Sequence, residues 1–128
     1  MQHPLDNPIW IALNSGSASF AYSNGVVRFI DRRIGFFAGI PLYDTEHLNQ
    51  LYEAMDSGMR VIVFPPGDLD LDAKWKVRND NALLQMVFEK PSLNLSLDAS
   101  IRALAAADVS EMLALTQLAK PGPFLENT

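Results

Sequence analysis

Cysteine is absent from the 128 residues, which removes disulfides, thiolate metal ligation and a cysteine nucleophile. That absence fits a reducing compartment. Histidine is nearly absent too. His3 and His47 stand far apart, in no spacing that binds zinc, and neither lies beside an acid–nucleophile pattern. There is no long apolar run: the densest, Val61-Ile62-Val63-Phe64, is cut by Pro65-Pro66 and falls far short of the ~20 residues a membrane helix needs. The opening Met1-Gln2-His3-Pro4-Leu5-Asp6 lacks the basic start and apolar core of a signal peptide. Positive charge is also scarce. Ten Lys and Arg face fifteen Asp and Glu, a net charge of −5, which argues against a broad nucleic-acid surface built on clustered cations. Arg32-Arg33 is the only adjacent basic pair. These absences predict a soluble cytoplasmic protein with neither nucleic acid nor membrane as a partner.

Familiar catalytic signatures are missing as well. No Gly-x-Gly-x-x-Gly and no P-loop occurs, and Ser15-Gly16-Ser17-Ala18-Ser19 lacks the Gly-x-Ser-x-Gly elbow. Asp68, Asp70 and Asp72 invite a calcium-loop reading. A loop starting at Asp68 would need Gly at its sixth place and Glu at its twelfth, and those places hold Ala73 and Asn79. A solvated acidic loop is the better reading, and no metal is expected.

What is present is globular composition, 48% hydrophobic and 20% charged, in a length that suits one domain or two small lobes sharing a core. Asn7-Pro8 starts a helix whose buried stripe would be Ile9, Trp10 and Leu13. Residues 15–23 are ambiguous between helix and strand. Asn24-Gly25 would make a type I′ turn or a left-handed helix end. Strands follow at 26–30 and 36–40. From Asp44 the period changes, with Leu48, Leu51, Tyr52 and Met55 on one helical face, capped by Asp44 or Thr45 and closed by Gly58. Residues 59–64 read as a central strand, apolar on both faces, and 83–89 as another. Leu93, Leu95 and Leu97 alternate as an edge strand would inside a linker-like stretch, which divides a lobe at residues 1–92 from residues 93–128. The fold class is therefore α+β, a small mixed sheet with about three helices.

The last helix has Asp108 at its start and Glu111 three places on, a capping-box-like pair that also suits the positive end of the helix dipole. Met112, Leu115, Thr116 and Ala119 line one face, with Val109 and Leu113 beside them. Lys120 suits the negative end, and Pro121 stops the helix. The segment Arg32-Arg33-Ile34-Gly35-Phe36-Phe37 comes close to the Arg/Gln-x-x-Gly-x-Gly/Ala loop, whose bare amides hold a pyrophosphate. Phe37 replaces the final small residue, and strand rather than helix follows, so the match reads as coincidence.

Three pieces of the chain carry a family resemblance. They are Leu5-Asp6-Asn7-Pro8-Ile9-Trp10-Ile11-Ala12-Leu13, Gln85-Met86-Val87-Phe88-Glu89, and Asp108-Val109-Ser110-Glu111-Met112-Leu113-Ala114-Leu115-Thr116 followed by Pro121-Gly122-Pro123-Phe124. In this order they resemble the N-terminal part of a bacterial GNAT-superfamily N-acetyltransferase of the subgroup with an extra N-terminal lobe. The resemblance implies that residues 101–119 are the first strand and helix of the acetyltransferase domain, and that Phe124 stands near the acceptor side. It implies attack by an amine on the acetyl-CoA thioester, with positioning, a base and backbone donors supplied by the enzyme. The resemblance places the acetyl-CoA loop and the usual tyrosine acid beyond these residues, so the chain alone is expected to be an inactive portion with no cofactor site, and its catalytic residues stay unassigned. The alternative is a non-enzymatic interaction or oligomerisation module.

Either reading calls for a partner. The last helix offers about five apolar side chains, each worth roughly 1.5–3 kcal/mol when buried, which together rival a whole domain's net stability of about 5–15 kcal/mol. The expected partner is the C-terminal acetyltransferase half or another copy of the chain, and the open strand near Ile101 would add a pairing edge. A homo-oligomer is expected.

Overall fold

The computed structural model describes residues 3–89, 99–122 and 124–128. Its centre is an antiparallel sheet in the order β1 (Ala21–Asn24), β2 (Val27–Ile30), β3 (Ala38–Gly39). Val27 and Phe29 alternate with half-buried Arg28 and Ile30 along β2, the period-2 pattern of a strand with one face on the core. Val27, Phe29, Ala38 and Ile40 are fully buried and meet Leu48 and Leu51 of helix α2 (Thr45–Ala54). The class is thus α+β, with three α-helices among the described residues. None of those helices is long and apolar enough to cross a membrane.

Helix α1 (Pro8–Leu13) begins with Pro8, as expected. Its N-cap residue Asn7 does something different from capping. The side chain is buried, and its Nδ2 donates to the Ile40 carbonyl at 2.8 Å and the Pro41 carbonyl at 3.2 Å. Those carbonyls follow β3 and would otherwise be left without a donor in the core, so tertiary satisfaction overrides local capping. The helix sits so close to β3 that a Cβ on Gly39 would come within 2.8 Å of Trp10 Cα. Leu13 is the buried member of the expected stripe, and Ile9 and Trp10 are half-buried.

The β1–β2 register pairs Asn24 with Val27, so the two central turn residues are Gly25 and Val26. Gly25 has φ +60° and Val26 does not share the positive sign, the pattern of a II′ hairpin with glycine first. The turn therefore lies one residue later than a type I′ Asn-Gly turn. Residues 18–20 form one 3-10 turn leading into β1, which resolves the ambiguous segment.

Helix α2 starts as expected: Asp44 Oδ1 accepts from the His47 amide at 2.9 Å. It ends at Ala54, four residues before Gly58, whose φ of +78° belongs to the following turn. Residues 59–64 are not a central strand. They run extended beside β3 and make one parallel bridge, Phe37 to Ile62, held by Ala38 N–H to Ile62 O at 3.0 Å and Ile62 N–H to Phe36 O at 2.8 Å. The sheet proper is therefore antiparallel, and among the described residues parallel pairing is confined to that bridge. Residues 83–89 carry no regular secondary structure, and their side chains are exposed. Gln85 Nε2 ties this stretch to the Leu5 carbonyl at 2.7 Å. Leu93, Leu95 and Leu97, and the proposed boundary at 92/93, lie outside the described residues.

Residues 101–105 are exposed and form no strand. A short 3-10 turn (Ala106–Asp108) then leads into α3 (Val109–Ala119). Asp108 does not cap α3 with its side chain. The carboxylate turns back, accepting from the Ala105 amide at 2.8 Å and pairing with both terminal nitrogens of Arg102 at 2.7 and 2.9 Å. That guanidinium, with the Ala105 amide second, lowers the Asp108 carboxyl below its ordinary range. Val109, Met112, Leu113 and Thr116 form the sheltered face of α3, whereas Leu115 and Ala119 are exposed. The inner face is thus rotated from the expected one. Lys120 ends the helix in the left-handed region (φ 47°, ψ 49°), directly before Pro121.

Candidate functional site

One open groove runs along α3. Spacing of three and four residues puts Ser110, Leu113, Ala114 and Gln117 on one side of the helix, and these line the groove with Val109 and, from the closing segment, Glu126. Its volume is about 590 Å³. Val109, Leu113 and Ala114 supply its apolar lining. A hydroxyl, an amide and a carboxylate stand along it, and Glu126 has no ion-pair partner among the described residues. Such a surface suits a ligand with an apolar stem and a cationic head.

The segment that carries Glu126 is fastened locally and at long range. Leu125 N–H donates to Thr128 Oγ1 at 2.8 Å, and Thr128 N–H donates to Leu125 O at 3.0 Å. Thr128 Oγ1 in turn donates to the Ile34 carbonyl at 2.8 Å, which docks this turn against the corner after β2. Phe124, the expected acceptor-side residue, is half-buried at the start of the same segment. It does not line the groove. Glu126 and Gln117, which sequence reasoning passed over, do. The helical spacing of Ser110, Ala114 and Gln117 was the available signal for one wall, and no signal marked Glu126.

A smaller cleft of about 120 Å³ lies between α2 and the acidic loop, lined by Thr45, Leu48, Asn49, Asp70, Asp72 and Trp75. Here the loop is clamped. Lys74 pairs with Asp72 at 3.3 Å, hydrogen-bonds Asn49 Oδ1, and stands 5.0 Å above the Tyr52 ring. Tyr52 meets Trp75 edge-on, centroids 5.2 Å apart. Asp70 and Asp72 therefore line a cleft closed by a cation and two aromatic rings. Among the described residues no group of three or more His, Asp or Glu side chains could hold a metal ion.

The histidines are likewise engaged. His3 Nδ1 accepts from the Leu5 amide at 3.1 Å, while Asp6 Oδ2 accepts from the His3 amide at 2.9 Å. His47 is less exposed than its place in the first turn of α2 suggested: its side chain is 20% exposed, with Nδ1 2.7 Å from Asp44 Oδ1. The Asp44 carboxyl is lowered below its ordinary range, first by the His47 amide and then by the ring. Tyr43 is shifted in the opposite direction. Burial pushes its phenol up to about 12, against a weaker opposing influence of the Phe64 backbone. Its hydroxyl has no partner at hydrogen-bonding geometry.

The acetyl-CoA-loop look-alike does not fit a pyrophosphate. The amides of Ile34 and Gly35 donate to the Asp31 carbonyl at 2.8 and 3.1 Å, and the Arg33 amide donates to Asp31 Oδ1 at 2.9 Å. Three successive donors are thereby spent inside the turn, and a cradle of free amides cannot form there. No protein-family model, curated protein or solved structure matches this chain.

Proposed function

We propose that these residues are the N-terminal portion of a cytoplasmic GNAT-type N-acetyltransferase, which moves acetyl from acetyl-CoA to an amine. In this reading residues 1–92 form the extra lobe, residues 93–128 begin the acetyltransferase domain, and acetyl-CoA is held by polypeptide beyond them. The ordered matches at 5–13, 85–89, 108–116 and 121–124 motivate it. The observation that carries it is the groove along α3, where Glu126, without an ion-pair partner among the described residues, stands with Val109, Leu113 and Ala114. An acceptor amine, cationic before it reacts, is the chemistry such a groove would hold. Phe124, two residues from Glu126, would shape the acceptor side without lining the groove.

The test is thiol release from acetyl-CoA against a panel of primary amines, comparing the product of the whole reading frame with residues 1–128 alone. Turnover by the former and none by the latter is expected. Absence of turnover and of acetyl-CoA binding in the former would refute the family. Turnover by residues 1–128 alone would refute the placement of the donor site.

A second reading, a non-enzymatic module that holds another polypeptide or a second copy, is favoured by one observation. Leu84 and Met86 are each 97% exposed, with Phe88 and Val87 also largely open to solvent. Apolar side chains gathered in a row of this kind mark an interaction surface. Concentration-dependent mass without any acetyl transfer by the complete product would favour this reading over the first.

A further inference from the structure

We propose that Arg32 and Arg60, set around the Phe36 ring, form a binding site for a phosphoryl group, separate from the α3 groove and independent of acetyl transfer. Arg60 Cζ lies 4.2 Å from the ring centroid and Arg32 Cζ 5.3 Å. The shared ring thus keeps the two like charges within about 10 Å of each other, one Debye length at 0.1 M salt. Among the described residues neither has a carboxylate at ion-pair distance. The acid next in sequence, Asp31, is already taken by Arg33 in a two-pronged pair with contacts of 2.6 to 3.1 Å. That guanidinium holds the Asp31 carboxyl down at about 2, so the pair contributes little net charge at neutral pH.

The backbone under both arginines is pinned. Asp31 N–H donates to the Phe20 carbonyl at 2.7 Å, and the 31–35 turn closes on its own carbonyl. On the other side, Ile62 N–H bonds to the Phe36 carbonyl itself, which sets Arg60 two residues away from a fixed point on the same ring. Arg32 Nη2 donates to the Arg60 carbonyl. One guanidinium is thus oriented by the backbone of the other, while Arg32 Nη1 is shielded and has no partner. Arg32 thus adds charge from a sheltered position, while exposed Arg60 keeps its guanidinium donors open to solvent, and neither cation has a carboxylate at ion-pair distance among the described residues. A dianionic phosphoryl group matches the combined charge and the open fork of Arg60, whereas a single carboxylate balances only one cation.

The test titrates the intact chain with inorganic phosphate and, separately, with a simple alkyl phosphate monoester. Arginine Nε–H and backbone amide signals around Phe36 and Arg60 are followed by NMR, with sodium chloride as the ionic-strength control. Saturable shifts at these residues are expected, with apparent affinity at least tenfold weaker in Arg60→Gln and unchanged within twofold in Arg78→Gln, an exposed arginine remote in sequence. Arg60 is exposed, so its replacement leaves the fold intact, which circular dichroism verifies. Saturation by the ester would assign a phosphate carried on an organic ligand, and saturation by the free ion alone would assign inorganic phosphate. Shifts that only track chloride, or equal loss in the Arg78 and Arg60 variants, would overturn the site.

Discussion

Replacing Gly39 by alanine should be among the most damaging single-methyl changes in this protein. A Cβ there would lie 2.8 Å from Trp10 Cα, 2.9 Å from Trp10 N and 3.3 Å from Ile9 C. Carbon atoms in good contact sit ~3.5–4.0 Å apart. Helix α1 would therefore have to retreat by about 0.7 Å from β3, and the clashing atoms are backbone, which has no rotamer to change. Overpacking of this kind costs about 1–3 kcal/mol. The same retreat stretches the 2.8 Å bond from Asn7 to the Ile40 carbonyl, at a further cost of about 1 kcal/mol. A total near 2–4 kcal/mol follows, and with a urea slope of about 2 kcal/mol per molar, the middle of the usual range, the unfolding midpoint should fall by roughly 1–2 M. Gly16→Ala is the control: nothing lies within 4 Å of its Cβ, and removing glycine freedom from the unfolded chain should leave stability unchanged or raise it by at most ~1 kcal/mol. Urea unfolding followed by far-UV circular dichroism and tryptophan emission measures both. Indistinguishable midpoints for the two variants would refute the close α1–β3 approach.

Three further outcomes are expected. Asn7→Ala should lower stability by about 1–3 kcal/mol in the same urea assay, because it strips the donor from two carbonyls at the core's edge. Lys120→Gly should raise the stability of α3 by about 1 kcal/mol, since Lys120 sits in the left-handed region that costs a side-chain-bearing residue about 1–2 kcal/mol; local hydrogen exchange in 109–119 is the readout. On acidification, the contribution of the Asp31–Arg33 pair should be lost. The folded Asp31 pKa is depressed from 3.8 to about 2, so its contribution is present above pH ~4 and disappears as pH falls through about 2. A melting-temperature profile from pH 5 to pH 2 should be flatter in Asp31→Asn than in the parent.

Much of the N-terminal architecture was legible in the sequence because local chemistry and tertiary need agreed. Asp44 caps α2, Leu48 and Leu51 mark its buried face, Val27 and Phe29 alternate along β2, and Pro8 opens α1. Agreement failed where a longer-range demand took over. Asn7 has the sequence context of a cap, yet the carbonyls after β3 claim its amide. Asp108 and Glu111 have capping-box spacing, yet Arg102 six residues earlier draws the Asp108 carboxylate backward. The apolar stretches at 59–64 and 83–89 have strand composition, and composition alone does not supply a neighbour to pair with. The first finds one bridge and the second none. In the candidate groove, the wall built by α3 was readable from helical spacing. Glu126 was not, since its position depends on Thr128 reaching the Ile34 carbonyl across the fold.

The central proposal is that the apolar surface at 83–88, where Leu84 and Met86 are each 97% exposed, pairs with a second copy when the chain is on its own. Sedimentation velocity on the purified chain over a wide concentration range tests it most directly, with Leu84→Lys and Met86→Lys alongside. The account predicts a mass that climbs above 14.2 kDa as concentration rises, and a return toward the monomer in both lysine variants. A folded parent protein that stays at 14.2 kDa up to the highest concentration would contradict it.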